Sequence, residues 1–135
     1  MGDAGTAWLD TNIIIRYLTG TPEHLARRAT EIIDGDRDLV VSELVLAEAA
    51  YVFSSVYRAP RIVVVDALSE FLQRANIHLH FLTKPEALAA LDLCRDSGRV
   101  SFADALLWAI ARKAGAGLIL TFDERFSSAG IELGK

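Results

Sequence analysis

Apolar and polar positions along this chain fall into blocks whose spacing switches between short unbroken runs and steps of three and four. Such switching marks strands alternating with helices. Ala7-Trp8-Leu9 is a short apolar run that ends at Asp10, and from Thr11-Asn12 onward Ile13, Ile14, Tyr17 and Leu18 recur at helical steps until Gly20. The stretch predicts strand, polar turn, helix. Thr21-Pro22 predicts the start of a second helix, with Leu25, Ala29, Ile32 and Ile33 on one face and Gly35 past its end. Leu39-Val40-Val41 reads as a buried strand, and Ser42 as the cap of a helix from Glu43 to about Tyr57. After the break at Ala59-Pro60, Leu68, Phe71 and Leu72 continue the apolar set of Ile62-Val63-Val64-Val65 at helical steps, so 61–75 is predicted helical. Ile77-His78-Leu79-His80-Phe81 alternates with period two, as a strand with one wet face does. Thr83-Lys84-Pro85 opens a helix with Leu88, Leu91 and Cys94 inward and Gly98 past its end. The segment from Ser101 to Ala111 is the strongest helical stretch and stops at Gly115 and Gly117. Leu118-Ile119-Leu120-Thr121 then reads as a buried strand, and Ile131-Glu132-Leu133 as a short edge strand.

Strands alternating with helices predict an α/β fold with a mostly parallel, roughly five-stranded sheet covered on both faces. In such a sheet ligands gather at the carboxyl edge of the strands. Asp10 and Asp123 each follow a strand at that edge, Asp104 lies in the first turn of a helix starting there, and Glu48 is within two turns of another. Four carboxylates far apart in sequence are thus expected at one end of the molecule. Each also has a structural explanation. Asp10 can cap its helix, Asp104 stands at capping-box spacing from Ser101, and Asp123 can hold a turn. Glu48 is the only carboxylate between Leu44 and Tyr57, in a segment apolar nearly all round. That pattern predicts a buried helix, in which a carboxylate needs a charged or hydrogen-bonded partner. A solvent-facing stripe or an arginine partner is the alternative.

Composition narrows the picture. The chain has 135 residues, 52% hydrophobic and 24% charged, which suits one globular domain over 1–135. Charge interrupts every apolar run well before the roughly 18 residues that span a bilayer. Met1-Gly2-Asp3-Ala4-Gly5-Thr6 formally fits an acylation pattern but has no basic patch beside it, so a frayed terminus is expected. With no secretory signal and a single cysteine, Cys94, the expected setting is the cytoplasm, without disulfides or membrane. The net charge of −4 argues against electrostatic coating of nucleic acid. Contact with a polyanion must be local, with a divalent cation between phosphate and acids. His78 and His80 share a strand face but have no third ligand, so an edge strand facing water accounts for them better than zinc.

Clustered carboxylates are hard ligands suited to Mg²⁺ or Mn²⁺. Such ions support hydrolysis of phosphodiesters. No Ser-His-Asp set or glycine-rich phosphate loop offers competing chemistry. Leu9-Asp10-Thr11-Asn12, the Glu48 helix, Ser101-Phe102-Ala103-Asp104-Ala105 and Thr121-Phe122-Asp123-Glu124-Arg125-Phe126 together resemble, in order and spacing, the four motifs of PIN-domain nucleases, most of all VapC-like toxins of toxin–antitoxin pairs. The resemblance spans essentially the whole chain. It implies a PIN-like three-layer α/β/α sandwich and a Mg²⁺-dependent endoribonuclease, in which Mn²⁺ can substitute. Asp10, Glu48, Asp104 and Asp123 would surround the metal, with Glu124 the alternative to Asp123, and Asn12 and Thr121 would support ligands and substrate. It further implies a homodimer and a VapB-like antitoxin whose tail occupies the acidic groove.

Arg16, Arg99, Arg112 and Arg125 flank these motifs as candidate phosphate contacts, equally explained as solvated helix-end charges. A haloacid-dehalogenase-like phosphatase would want an acid where Asn12 stands, and a receiver domain would want adjacent acids near its start. The remaining rival is a catalytically silent PIN-like module that binds protein or RNA.

Overall fold

Three short strands, β1 (Ala7–Trp8), β2 (Leu39–Val41) and β3 (Ile77–Leu79), run parallel in the order β1-β2-β3, with Leu39 opposite both Ala7 and Ile77. Each parallel step needs a helical crossover. The first is α1 (Thr11–Thr19) with α2 (Glu23–Ile33), the second α3 (Glu43–Ser55) with α4 (Arg61–Leu72). After β3 come α5 (Lys84–Leu93) and α6 (Phe102–Lys113), which pack against each other, then β4 (Leu118–Leu120) and β5 (Glu132–Gly134). The computed structural model describes residues 5–95, 100–115, 118–122 and the backbone of 132–134.

The alternating, parallel α/β plan follows the hydrophobic pattern, with two differences in detail. The five strands do not form one sheet among the described residues: β4 pairs parallel with β5 as a separate two-stranded sheet. In that smaller sheet only Ile119 of β4 turns inward, while Leu118 and Leu120 stay 49% and 72% exposed. The apolar run therefore belongs to a strand buried on one face, not on two. The second difference is α3, where the solvent-facing stripe that was the alternative to a buried helix is what the structure shows. Leu46, Ala49 and Ala50 face the core, but Leu44, Glu48 and Tyr51 form an outward stripe, with Leu44 78% exposed. These positions recur at helical steps, so one side of an almost wholly apolar helix looks into solvent.

Capping follows the expected chemistry. Ser42 Oγ accepts from Val45 N at 3.1 Å, and Thr83 and Glu86 form a reciprocal capping box on α5. The Thr83 N–H and the Lys113 ammonium, 3.1 Å away, hold the Glu86 carboxyl below its ordinary value. Gly20 ends α1 at φ 75, a left-handed position that favours glycine. Helix α2 begins at Glu23, preceded by Pro22, so Thr21 does not cap it. The core gathers between the helices and the three-stranded sheet, with Ile14, Leu39, Leu46, Leu68 and Ile77 wholly buried. His78 faces outward, 3.0 Å from Asp38 Oδ1, and His80 lies with its ring 5.2 Å from Trp8. Both imidazoles are exposed, His78 on β3 at the edge of the three-stranded sheet and His80 just past its end. Among the described residues no helix is long and apolar enough to cross a membrane.

Cys94 is fully buried, and burial pushes its thiol up to about 11, with Arg61 acting in the opposite direction. A raised value means the neutral thiol is the form the fold favours. Stability from this group is intact below pH 9 and declines as pH climbs toward 11. Native protein at pH 8 is expected to resist iodoacetamide at Cys94, with labelling appearing only in denaturant, as mass spectrometry would show. Rapid labelling of the folded protein would contradict the burial.

Candidate active site

The site grows from the turn between β1 and α1. Leu9 is buried and anchors the end of the strand, while Asp10 stands exposed just beyond it. Asp10 Oδ1 accepts from Thr11 N at 2.7 Å, which fixes the side chain at the head of α1. Thr11 is itself buried, and its hydroxyl donates to Glu48 Oε1 at 2.6 Å across 37 positions of sequence. One residue therefore orients both acids, the first through its backbone and the second through its side chain. Packing of α1 against α3 makes this possible.

Asp10 and Glu48 line the same cavity of about 230 Å³, together with Asn12, Arg16 and Tyr57. Among the described residues Asp10 Oδ2 and Glu48 Oε2 have no protein donor, so each acid keeps an oxygen for an outside partner. Oxygen-only donors on a solvent-reached cavity, preset by hydrogen bonds, suit a hard divalent cation. Of the four acids named from the sequence, Asp10 and Glu48 line this one cavity.

The remaining acids are placed as follows. Asp104 lies in the first turn of α6, half-buried, and its N–H donates to Ser101 Oγ at 3.0 Å. Its carboxylate does not return a bond to Ser101, unlike Glu86 toward Thr83, so the cap leaves it uncommitted. Asp104 does not line the Asp10 cavity. The start of α6 instead borders α3 at Ala47 and Tyr51, on either side of Glu48 in sequence. Asp123 and Glu124 lie outside the described residues, as do Arg99 and Arg125. Thr121 follows β4 and is half-buried. Arg112 is at the far end of α6 from Asp104, its guanidinium 4.9 Å over the Trp108 ring. Among the described residues no group of three or more His, Cys, Asp or Glu side chains stands close enough to hold a metal.

Two residues carry more than the hydrophobic pattern suggested. Thr11 was legible as the opening of a helix, but not as the tie between two acids. Glu43 is a buried carboxylate whose Oε2 accepts from Phe81 N at 2.9 Å and Leu82 N at 2.7 Å, locking the β3–α5 loop to the start of α3. An acid in the first turn of a helix looks unremarkable in sequence, so nothing there separates Glu43 from a solvated one.

Residues 7–132 match the PIN domain family. No curated protein matches the chain. Among solved structures the chain is similar to the crystal structure of Mycobacterium tuberculosis VapC20, a Sarcin-Ricin loop cleaving toxin. The two are 22% identical over 93% of this chain and 95% of that one, with a TM-score of 0.43.

Proposed function

Because this chain belongs to the PIN-domain family, we propose that it is a metal-dependent endoribonuclease that hydrolyses RNA phosphodiester bonds, and the toxin of a toxin–antitoxin pair. The observation that carries the reading is the Asp10–Thr11–Glu48 arrangement, in which a buried threonine presents two acids to one open cavity. When bound, Mg²⁺ or Mn²⁺ supplies a Lewis acid that lowers the pKa of water and offsets charge on phosphate oxygens. Asp10 and Glu48 would hold the ion through the oxygens that Thr11 leaves free. The Thr11 N–H and hydroxyl restrain both carboxylates, so little side-chain freedom remains to be lost on binding. Asp104 and Asp123, or Glu124 in its place, would complete the acid set, while exposed Asn12 offers an amide to RNA and Thr121 supports the ligands. A homodimer, a VapB-like antitoxin and a cytoplasmic setting go with this reading.

Purified protein is expected to cleave total RNA with added Mg²⁺ or Mn²⁺, to stop in EDTA and to resume when Mn²⁺ is restored, read on denaturing gels. Cleavage unchanged in EDTA overturns the metal-dependent reading. The alternative is a silent module that binds protein or RNA without cutting. Paramagnetic resonance of added Mn²⁺ separates the two: the enzyme broadens the free-ion signal in an Asp10-dependent manner, and the silent module leaves it unchanged.

A further inference from the structure

Arg16 lies on the boundary of two depressions. One is the acid-lined cavity already described; the other, about 220 Å³ between α1 and α2, is lined by Asn12, Ile13, Arg16, Leu25, Arg28 and Ile32 among its residues. Arg16 Nη1 donates to Tyr57 Oη at 3.1 Å and lies 3.4 Å from the Thr21 carbonyl, which fixes the guanidinium between the two. Among the described residues neither Arg16 nor Arg28 makes an ion pair, whereas Arg27, Arg74 and Arg95 are each tied to an acid. No acid lines the second depression. On a chain of net charge −4, two unpaired arginines in a groove without acids are a local invitation to a polyanion. The rest of this second lining is largely apolar and partly open, with Ile32 40% exposed, and on the acid-cavity side of Arg16 Tyr57 is 39% exposed.

We propose that single-stranded RNA runs from the acid cavity past Arg16 into the α1–α2 groove. Arg16 and Arg28 each bind a backbone phosphate beyond the scissile one, and a base rests on the Tyr57 ring. The proposal deepens the ribonuclease reading and rests on it for the identity of the polyanion. The chemistry fits the groove: a guanidinium grips phosphate through paired donors, and unstacked bases settle on aromatic faces. The arginines would position the strand without touching the reacting atoms, so their loss acts on binding more than on turnover.

The test uses full-length protein carrying Asp10→Asn and a fluorescent single-stranded RNA pool of randomised sequence, followed by anisotropy over a salt series. Adding Arg16→Gln and Arg28→Gln together is expected to weaken binding at least about tenfold. The slope of log affinity against log salt should flatten by about 1.4, two phosphate contacts at roughly 0.7 each. Tyr57→Ala is expected to weaken binding about tenfold with the slope unchanged. With Asp10 intact, the arginine pair should raise KM for RNA and leave kcat within about threefold. Unchanged affinity and slope, in protein that cuts total RNA with Mn²⁺, overturn the groove and spare the ribonuclease reading. Loss of binding with no cutting in any metal keeps the groove and overturns the ribonuclease. Neither binding nor cutting overturns both.

Discussion

Replacing Asp10 with Asn is expected to lower metal-supported RNA cleavage by at least about 10³-fold, roughly 4 kcal/mol of transition-state stabilisation, while the melting temperature stays within about 2 °C of wild type. The two halves of this expectation have separate causes. Asp10 Oδ1 caps α1 by accepting from Thr11 N, and an asparagine oxygen accepts that bond equally well. What the substitution removes is the negative charge facing the cavity that Glu48 shares. A neutral amide is a poor ligand for a hard divalent ion, and no neighbour among those lining the cavity, Asn12 and Arg16 included, replaces the lost anion. Single-turnover cleavage and calorimetry on the same preparation make the comparison. Activity within tenfold of wild type would remove Asp10 from the chemistry and leave it a helix cap.

Glu43→Ala is expected to cost roughly 3–5 kcal/mol of stability, since it strands a buried and a part-buried backbone donor that a charged acceptor now satisfies. For a domain of this size that lowers the melting temperature by roughly 10–20 °C. Phe81 N and Leu82 N both reach Glu43 Oε2, and the residue is 7% exposed, so water enters poorly once the carboxylate is gone. Glu43→Gln keeps an acceptor oxygen at the same reach and should lose about a third as much. Chemical denaturation of both variants checks the order, and a loss under about 1 kcal/mol for alanine would mean that the β3–α5 loop finds other acceptors. Among the acids near the head of α3, Glu43 thus holds the scaffold and Glu48 faces the cavity, five positions apart in chain but opposite in exposure.

What the sequence made legible was mostly local. The strand–Asp10–helix turn, the Ser42, Thr83 and Ser101 caps and the left-handed Gly20 each depend on a few neighbouring residues, and each stands where the pattern placed it. What stayed hidden depends on distant partners. Hydropathy around α3 reports how apolar a helix is, not whether another element covers it, so the sequence left a buried helix and a solvent-facing stripe at Glu48 both open, and Leu44, Glu48 and Tyr51 form the stripe. The Thr11–Glu48 bond spans 37 positions and the Glu43–Leu82 bond 39, beyond the reach of any motif of neighbours. For the same reason the division of five strands into three and two came from pairing and not from propensity. Of the acids named in advance, Asp10 and Glu48 share one cavity, Asp104 begins a helix alongside α3, and Asp123 falls outside the described residues.

The parallel order of β1, β2 and β3 has a bearing on how the protein comes into being. Neighbouring strands in this sheet are never neighbours in time: β1 waits for two helices to be made before β2 arrives, and β2 waits through two more for β3. No hairpin can zip ahead of the rest, so assembly depends on long loops closing, which is slow. The nascent chain leaves the ribosome with Asp10 already synthesised but without its counterpart across the cavity. The pairing of Asp10 and Glu48 through Thr11 therefore exists only once α1 has docked on α3.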